Sequence, residues 1–150
     1  MKLWSLFTLV LAIVMMGCSS ATYVRQKVPG EKLSIHKTRA TFMGIETVKC
    51  RHLTTLCPDR CEHGGKIAYF RIDAYEDYQK LSDYGDPKQE TFVVQIKDGQ
   101  GKTPKTTSDA LVLVVDDLKQ GDIVNLEWIH TYVDDGFVVE PRRLVTRLGN

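Results

Sequence analysis

The sequence predicts a mainly β protein, a small antiparallel barrel with one short helix, preceded by an apolar leader. Three observations carry that expectation. Aromatic and β-branched residues alternate with polar ones over 67–78 and again over 122–133, the two-residue period of a strand with one buried face. Turn chemistry separates such runs at short intervals, in Tyr84-Gly85-Asp86-Pro87, Lys97-Asp98-Gly99 and Asp134-Asp135-Gly136, where Gly, Pro and Asp each lower the cost of reversing the chain. One stretch, 109–119, carries helix punctuation instead, with Thr107 or Ser108 ahead of it and Gly121 behind.

Taken in order, residues 40–53 hold Phe42, Ile45, Val48 and Cys50 among Thr and Lys, which suits a long, bent first strand. Pro58, Gly64 and Gly65 make 54–65 a loop. In the second strand Ile67, Tyr69, Arg71, Asp73 and Tyr75 share one side, and Ala68, Phe70, Ile72 and Ala74 the other. Phe92 to Ile96 is the third strand, and a polar loop with Pro104 comes after it. The helix over 109–119 competes with a strand, because Val112-Leu113-Val114-Val115 is largely β-branched. Val124, Leu126, Trp128, His130 and Tyr132 line the apolar face of the fourth strand. Asp134-Asp135-Gly136 signals a hairpin, and Phe137–Val139 and Leu144–Leu148, separated by Pro141, supply the last strand material. The order strand, strand, strand, helix, strand, strand is that of OB-folds, Greek-key barrels with a helix between the third and fourth strands.

Size and charge bound the function. The 150 residues suit one domain, and removing 1–17 leaves 133, enough for a single core. Charged residues are 26% and hydrophobic ones 43%, a globular balance rather than a disordered one. Without Lys2 the 20 basic residues become 19, against 19 acidic, so no net positive field invites nucleic acid. Stacking of bases on Tyr69, Tyr75, Tyr78, Tyr84, Phe70 or Phe92 has no basic stripe beside it; core packing accounts for the Phe rings and strand alternation for the Tyr rings.

Met1-Lys2 gives the leader a basic start, and Leu3 to Met16 is apolar except for Ser5 and Thr8. That run falls short of the roughly 20 residues that cross a bilayer, and fits an export signal. It ends in Met15-Met16-Gly17-Cys18-Ser19-Ser20. This ending resembles the lipobox of bacterial lipoprotein precursors, with a small residue directly before the cysteine, although Met15 stands where Leu is usual. The resemblance implies a signal peptide over 1–17, diacylglyceryl and fatty-acyl (palmitate-type) modification of Cys18, and a cell-envelope location. Ser19 in place of aspartate implies the outer membrane, facing the periplasm, in a bacterium with two membranes. Residues 18–34 then read as lipidated terminus and polar tether, and 35–150 as the barrel domain.

Chemistry concentrates at Cys50, His52, Cys57, Cys61 and His63. In an oxidising compartment two of the three cysteines left after lipidation form a disulfide. Alternatively Cys50, Cys57, Cys61 and His63 make a tetrahedral set for zinc or copper, with His52 or His130 as substitute ligands. The spacing Cys57-x3-Cys61 is not that of thiol-disulfide enzymes, the one enzymatic reading the cysteines suggest. His130 reads as a core histidine that approaches Cys50 and His52 if the first and fourth strands pair, and His36 as a surface residue. Asp134 and Asp135 are adjacent in a turn and do not flank a substrate as hydrolase carboxylates do. Glycine-rich phosphate loops, nucleophile elbows and His-Glu-x-x-His pairs are absent from the sequence. The expectation is a non-enzymatic envelope lipoprotein that binds a partner protein or plays a structural part, with metal binding at the cysteine cluster as the alternative.

Overall fold

In the computed structural model the described residues are 30–49, 64–134 and 139–150. They form β1 (Lys32–Val48), β2 (Gly65–Lys80), β3 (Thr91–Lys97), α1 (Asp109–Asp117), β4 (Ile123–Asp134) and β5 (Val139–Gly149). The five strands make one antiparallel sheet in the order β3-β2-β1-β4-β5. It is not closed into a ring: β3 and β5 are its two edges. The leader, Cys18 and the tether up to residue 29 lie outside the described residues, as does the cysteine-rich stretch 50–63.

β1 holds the sheet together, pairing with β2 from Ser34 to Val48 and with β4 from Lys32 to Thr41. It begins earlier than the polar composition suggested. Leu33 and Ser34 are fully buried, so 32–34 belong to the sheet and not to a linker ending at 34. From there His36, Thr38, Ala40 and Phe42 point inward in alternation. A bulge at Met43-Gly44 then breaks the ladder. Gly44 sits at φ 122°, which a residue with a Cβ rarely adopts, and the expected bend of the first strand coincides with this bulge.

β2 departs from its expected alternation for a related reason. Ala68 and Phe70 are buried as expected, but the pairing with β1 skips Asp73 and Glu76. Each skipped residue reverses the in-out phase of the residues after it. Ala74 is therefore exposed, and Tyr75 packs against the core instead of facing outward.

α1 settles the competition between helix and strand over 109–119. Ser108 caps it, accepting a hydrogen bond from Leu111 N at 3.2 Å. Leu111, Val112 and Val115 are buried, and that apolar stripe outweighs the weak helix preference of valine. The helix stops at Asp117, short of Lys119, because Leu118 is already extended. Gly121 does not cap it; its N–H bonds Phe42 O at 2.8 Å, fastening the turn before β4 onto β1.

The inner face of the sheet and α1 enclose Phe42, Phe70, Phe92, Leu111, Leu126 and Trp128, each under 5% exposed. Each such side chain contributes about 1.5–3 kcal/mol by leaving water. β4 buries Val124, Leu126, Trp128 and His130 as its alternation predicts, but beyond His130 a register shift against β1 changes the phase, so that Thr131 is fully buried and Tyr132 only half-buried. β5 is one continuous strand that runs through Pro141, which pairs with Tyr132; an edge strand tolerates a residue without an N–H. Asp134 and Val139 pair across the expected hairpin, whose tip lies outside the described residues.

Between β2 and β3 the chain folds back over the start of β1. Leu81 N and Ser82 N both donate to Leu33 O, at 2.9 and 3.1 Å. Gly85 passes so close that a Cβ there would stand 2.3 Å from Leu33 O. Gly85→Ala must push these backbones apart. We expect it to lower stability by about 1–3 kcal/mol in urea denaturation, whereas Gly101→Ala, which meets nothing within 4 Å, leaves packing intact and is affected only through its φ of 79°.

Candidate functional site

The described residues contain one strongly polar buried cluster, where the segment 81–90 crosses β1, β4 and β5. The first strand supplies Ser34 and His36, both fully buried. β4 supplies Trp128 and His130, β2 supplies Tyr75 and Tyr78, and β5 supplies Arg143. Asp86 comes from the turn Tyr84-Gly85-Asp86-Pro87 and is 7% exposed.

Asp86 is the hub. Its carboxylate accepts two hydrogen bonds from Arg143, Nε at 2.6 Å and Nη2 at 2.9 Å. This forked, charge-assisted geometry is the strong form of the pair. The Asp86 amide donates to Ser34 Oγ at 3.1 Å, and its carbonyl accepts from Tyr78 OH at 2.9 Å. His130 Nδ1 lies 3.5 Å from Asp86 Oδ1, within ion-pair reach but without hydrogen-bond alignment. Burial pushes the Asp86 carboxyl up, and the bonds and charge of Arg143 more than offset that, holding it below the ordinary carboxylate range.

His36 is sandwiched among rings. It stacks on Trp128 with centroids 4.3 Å apart and planes 12° off parallel, and meets Tyr78 at 5.0 Å. Its Nε2 is 2.9 Å from Ser34 Oγ. Because that hydroxyl already accepts from the Asp86 amide, its own proton can point at Nε2, which places the neutral ring's hydrogen on Nδ1. Nδ1 has no hydrogen-bond partner among the described residues. Burial lowers the His36 pKa to about 4, with Asp86 pulling it back up in part and His130 and Arg143 adding to the depression. His130 is lowered too, first by burial, with Asp86 opposing and Arg143 reinforcing. Both rings are neutral at pH 7. Outside them Lys88 Nζ sits 5.1 Å from the Tyr75 ring centre and 5.5 Å from that of Tyr78, while Gln89 N donates to Tyr75 OH at 2.7 Å.

Ser34, His36 and Asp86 share the residue types of a hydrolytic triad, yet not its arrangement. Ser34 is sealed from solvent, and Asp86 spends its carboxylate on Arg143 rather than orienting His36. What the cluster does is tie three distant pieces of chain together and hold two imidazoles uncharged.

The structure revises one sequence reading here. His36 is not on the surface; it is at the centre of the aromatic stack. β1 and β4 do pair, but His130 lies opposite Ser34 at the start of β1, and Cys50 comes after the strand's other end. His130 stands beside Asp86 there. Cys50, His52, Cys57, Cys61 and His63 are outside the described residues, and among the described ones no three His, Cys, Asp or Glu side chains gather as a metal site requires. Asp86 and Arg143 had no periodic signal, and the turn containing Asp86 reads from sequence as a turn alone.

No family model, curated protein or solved structure matches the chain. Among the described residues no helix is long and apolar enough to cross a membrane. The class that fold and cluster define is a mainly β domain with an open five-stranded antiparallel sheet, one helix and a buried His-Asp-Arg group.

Arg143→Met leaves a buried carboxylate without its partner and should cost about 2–3 kcal/mol at pH 7, the low end for a broken buried pair because Arg143 is half exposed; adding Asp86→Asn should restore part of it in urea denaturation. His36, whose folded pKa lies below its unfolded 6.5, favours the fold fully above pH 6.5 and loses that contribution as pH falls toward about 4. The loss is on the order of 3 kcal/mol, and His36→Phe should flatten the corresponding fall in stability between pH 7 and pH 4.

Proposed function

We propose that the chain is a lipid-anchored protein of the bacterial envelope whose small β domain acts by binding or by structural support, without catalysis. The observation that carries this reading is the order of parts at the N-terminus: basic start, short apolar run, Gly17 and Cys18. Two or more acyl chains on Cys18 hold a protein stably at a bilayer where one chain does not. The polar stretch 19–29 leads from that anchor into β1, and Ser19 favours the outer membrane facing the periplasm. An envelope protein is the partner class such a tethered domain meets.

We read the fold as an OB-like Greek-key barrel left open between β3 and β5. The strand order β3-β2-β1-β4-β5, with a helix between β3 and β4, supports that reading. The buried cluster supports a non-catalytic part, since its serine is sealed and its carboxylate engaged. A balanced charge argues against nucleic acid as a partner.

Mass spectrometry of the purified native protein should find an N-terminal peptide that begins at a triacylated Cys18, and Cys18→Ala should move the protein from the membrane fraction to the soluble one. An unmodified Cys18 still joined to Gly17 would falsify the reading. In the same preparation, thiol titration with metal analysis separates the two fates of the cysteine cluster. One free thiol and no metal mean a disulfide; three protected thiols with stoichiometric zinc or copper mean the metal site at Cys50, Cys57, Cys61 and His63.

A further inference from the structure

We propose that residues 81–90 form an acid-released strap, closed over one end of the sheet at neutral pH and lifted from it when the imidazole beneath is protonated. The strap belongs to the described domain alone, and its release does not depend on the lipid anchor.

The strap's attachments meet His36 through Ser34, whose Oγ serves both. Leu81 N and Ser82 N hold Leu33 O, Asp86 N holds Ser34 Oγ, Gln89 N holds Tyr75 OH, and the Asp86 carboxylate grips Arg143. Every element around His36 contributes a group that bears on its charge. β1 brings Ser34; β2 brings Tyr75 and Tyr78; the strap brings Asp86 and Lys88; β4 brings Trp128 and His130; β5 brings Arg143. Against one carboxylate stand Arg143, Lys88 and, when protonated, two imidazoles. The cations already outnumber the anion, and each protonated imidazole widens that excess.

Protonation also acts directly on the strap. Adding a hydrogen to Nε2 of His36 turns the ring nitrogen from acceptor to donor, aimed at Ser34 Oγ 2.9 Å away. That hydroxyl must then turn its own proton elsewhere and accept from the ring as well as from the Asp86 amide already bonded to it, which spends both of its lone pairs and leaves its proton to find a new acceptor. The bond that seats the strap and the bond that senses the proton therefore share one oxygen. Asp86 stays ionised through the same range because Arg143 holds its carboxyl low, so the titrating groups are the histidines.

Opening the strap is the local way to hydrate a charged His36. β1 keeps its backbone ladders to β2 and β4 around residues 34–37 without the strap, and Arg143 is already half in water. Only the hydrogen bonds and ion pair named above are lost, while the sheet persists. This is sub-global opening, of the kind that amide exchange resolves.

The test is hydrogen exchange of the full mature chain at pH 7 and pH 4.5, with each amide corrected for its intrinsic rate. Protection of the Leu81, Ser82, Asp86 and Gln89 amides should fall at least about tenfold at pH 4.5, while β1–β2 ladder amides over 68–72 change less than about twofold. His36→Phe should keep the strap protected at pH 4.5, and His130→Gln should not. Strap protection that is the same at both pH values overturns the proposal, as does parallel loss in strap and ladder, which would mean global unfolding. If His36→Phe fails to fold, the wild-type pair of measurements decides alone, with the imidazole carbon-proton shift of His36 required to titrate together with strap opening.

Discussion

The forked pair between Asp86 and Arg143 joins pieces of chain that are 57 residues apart, and the geometry of the whole cluster depends on it. With its charge matched, Asp86 can sit at 7% exposure and present its backbone to Ser34 and Tyr78. Without the guanidinium the carboxylate would seek water, since an ionised group buried alone is costly. The strap would leave with it, and Ser34 and His36 would lose their cover. A half-exposed arginine at the sheet margin thus decides whether the centre of the aromatic stack stays dry.

Much of the fold was legible because it rests on period and punctuation. The inward face of β4, including His130, comes from strict alternation, and Ser108 marks the helix start through its side-chain oxygen. Two kinds of information were not local. The phase of β2 depends on the pairing with β1 passing over Asp73 and Glu76, and nothing in the Tyr69–Tyr78 pattern announces a bulge. The length of α1 depends on Leu118 turning toward the core, which leaves Gly121 for another task against Phe42.

The cluster was less legible than the fold. His36 lies in the stretch Ser34-Ile35-His36-Lys37-Thr38, whose alternation buries polar members and leaves Ile35 and Lys37 on the other face. A hydropathy reading assigns such a segment the wrong way round. Burial of Ser34, His36 and Thr38 is possible only because partners arrive from afar: the Asp86 amide, the Trp128 ring and Leu126 O. Asp86 itself is a turn residue by composition, and its role exists only once Arg143 is opposite. The expectations at the N-terminus, by contrast, rest on order and spacing alone, and its residues lie outside the described ones.

The sheet's open margins carry one more consequence. A strand border offers hydrogen-bonding groups to any passing chain, and uncontrolled stacking of copies is the usual hazard. On the β5 side Pro141 lacks an amide hydrogen, while Arg143 and Arg147 on the same strand are already engaged with Asp86 and Glu127. Two copies brought together there would meet a missing donor. That gap interrupts the run over which an edge-to-edge ladder could extend.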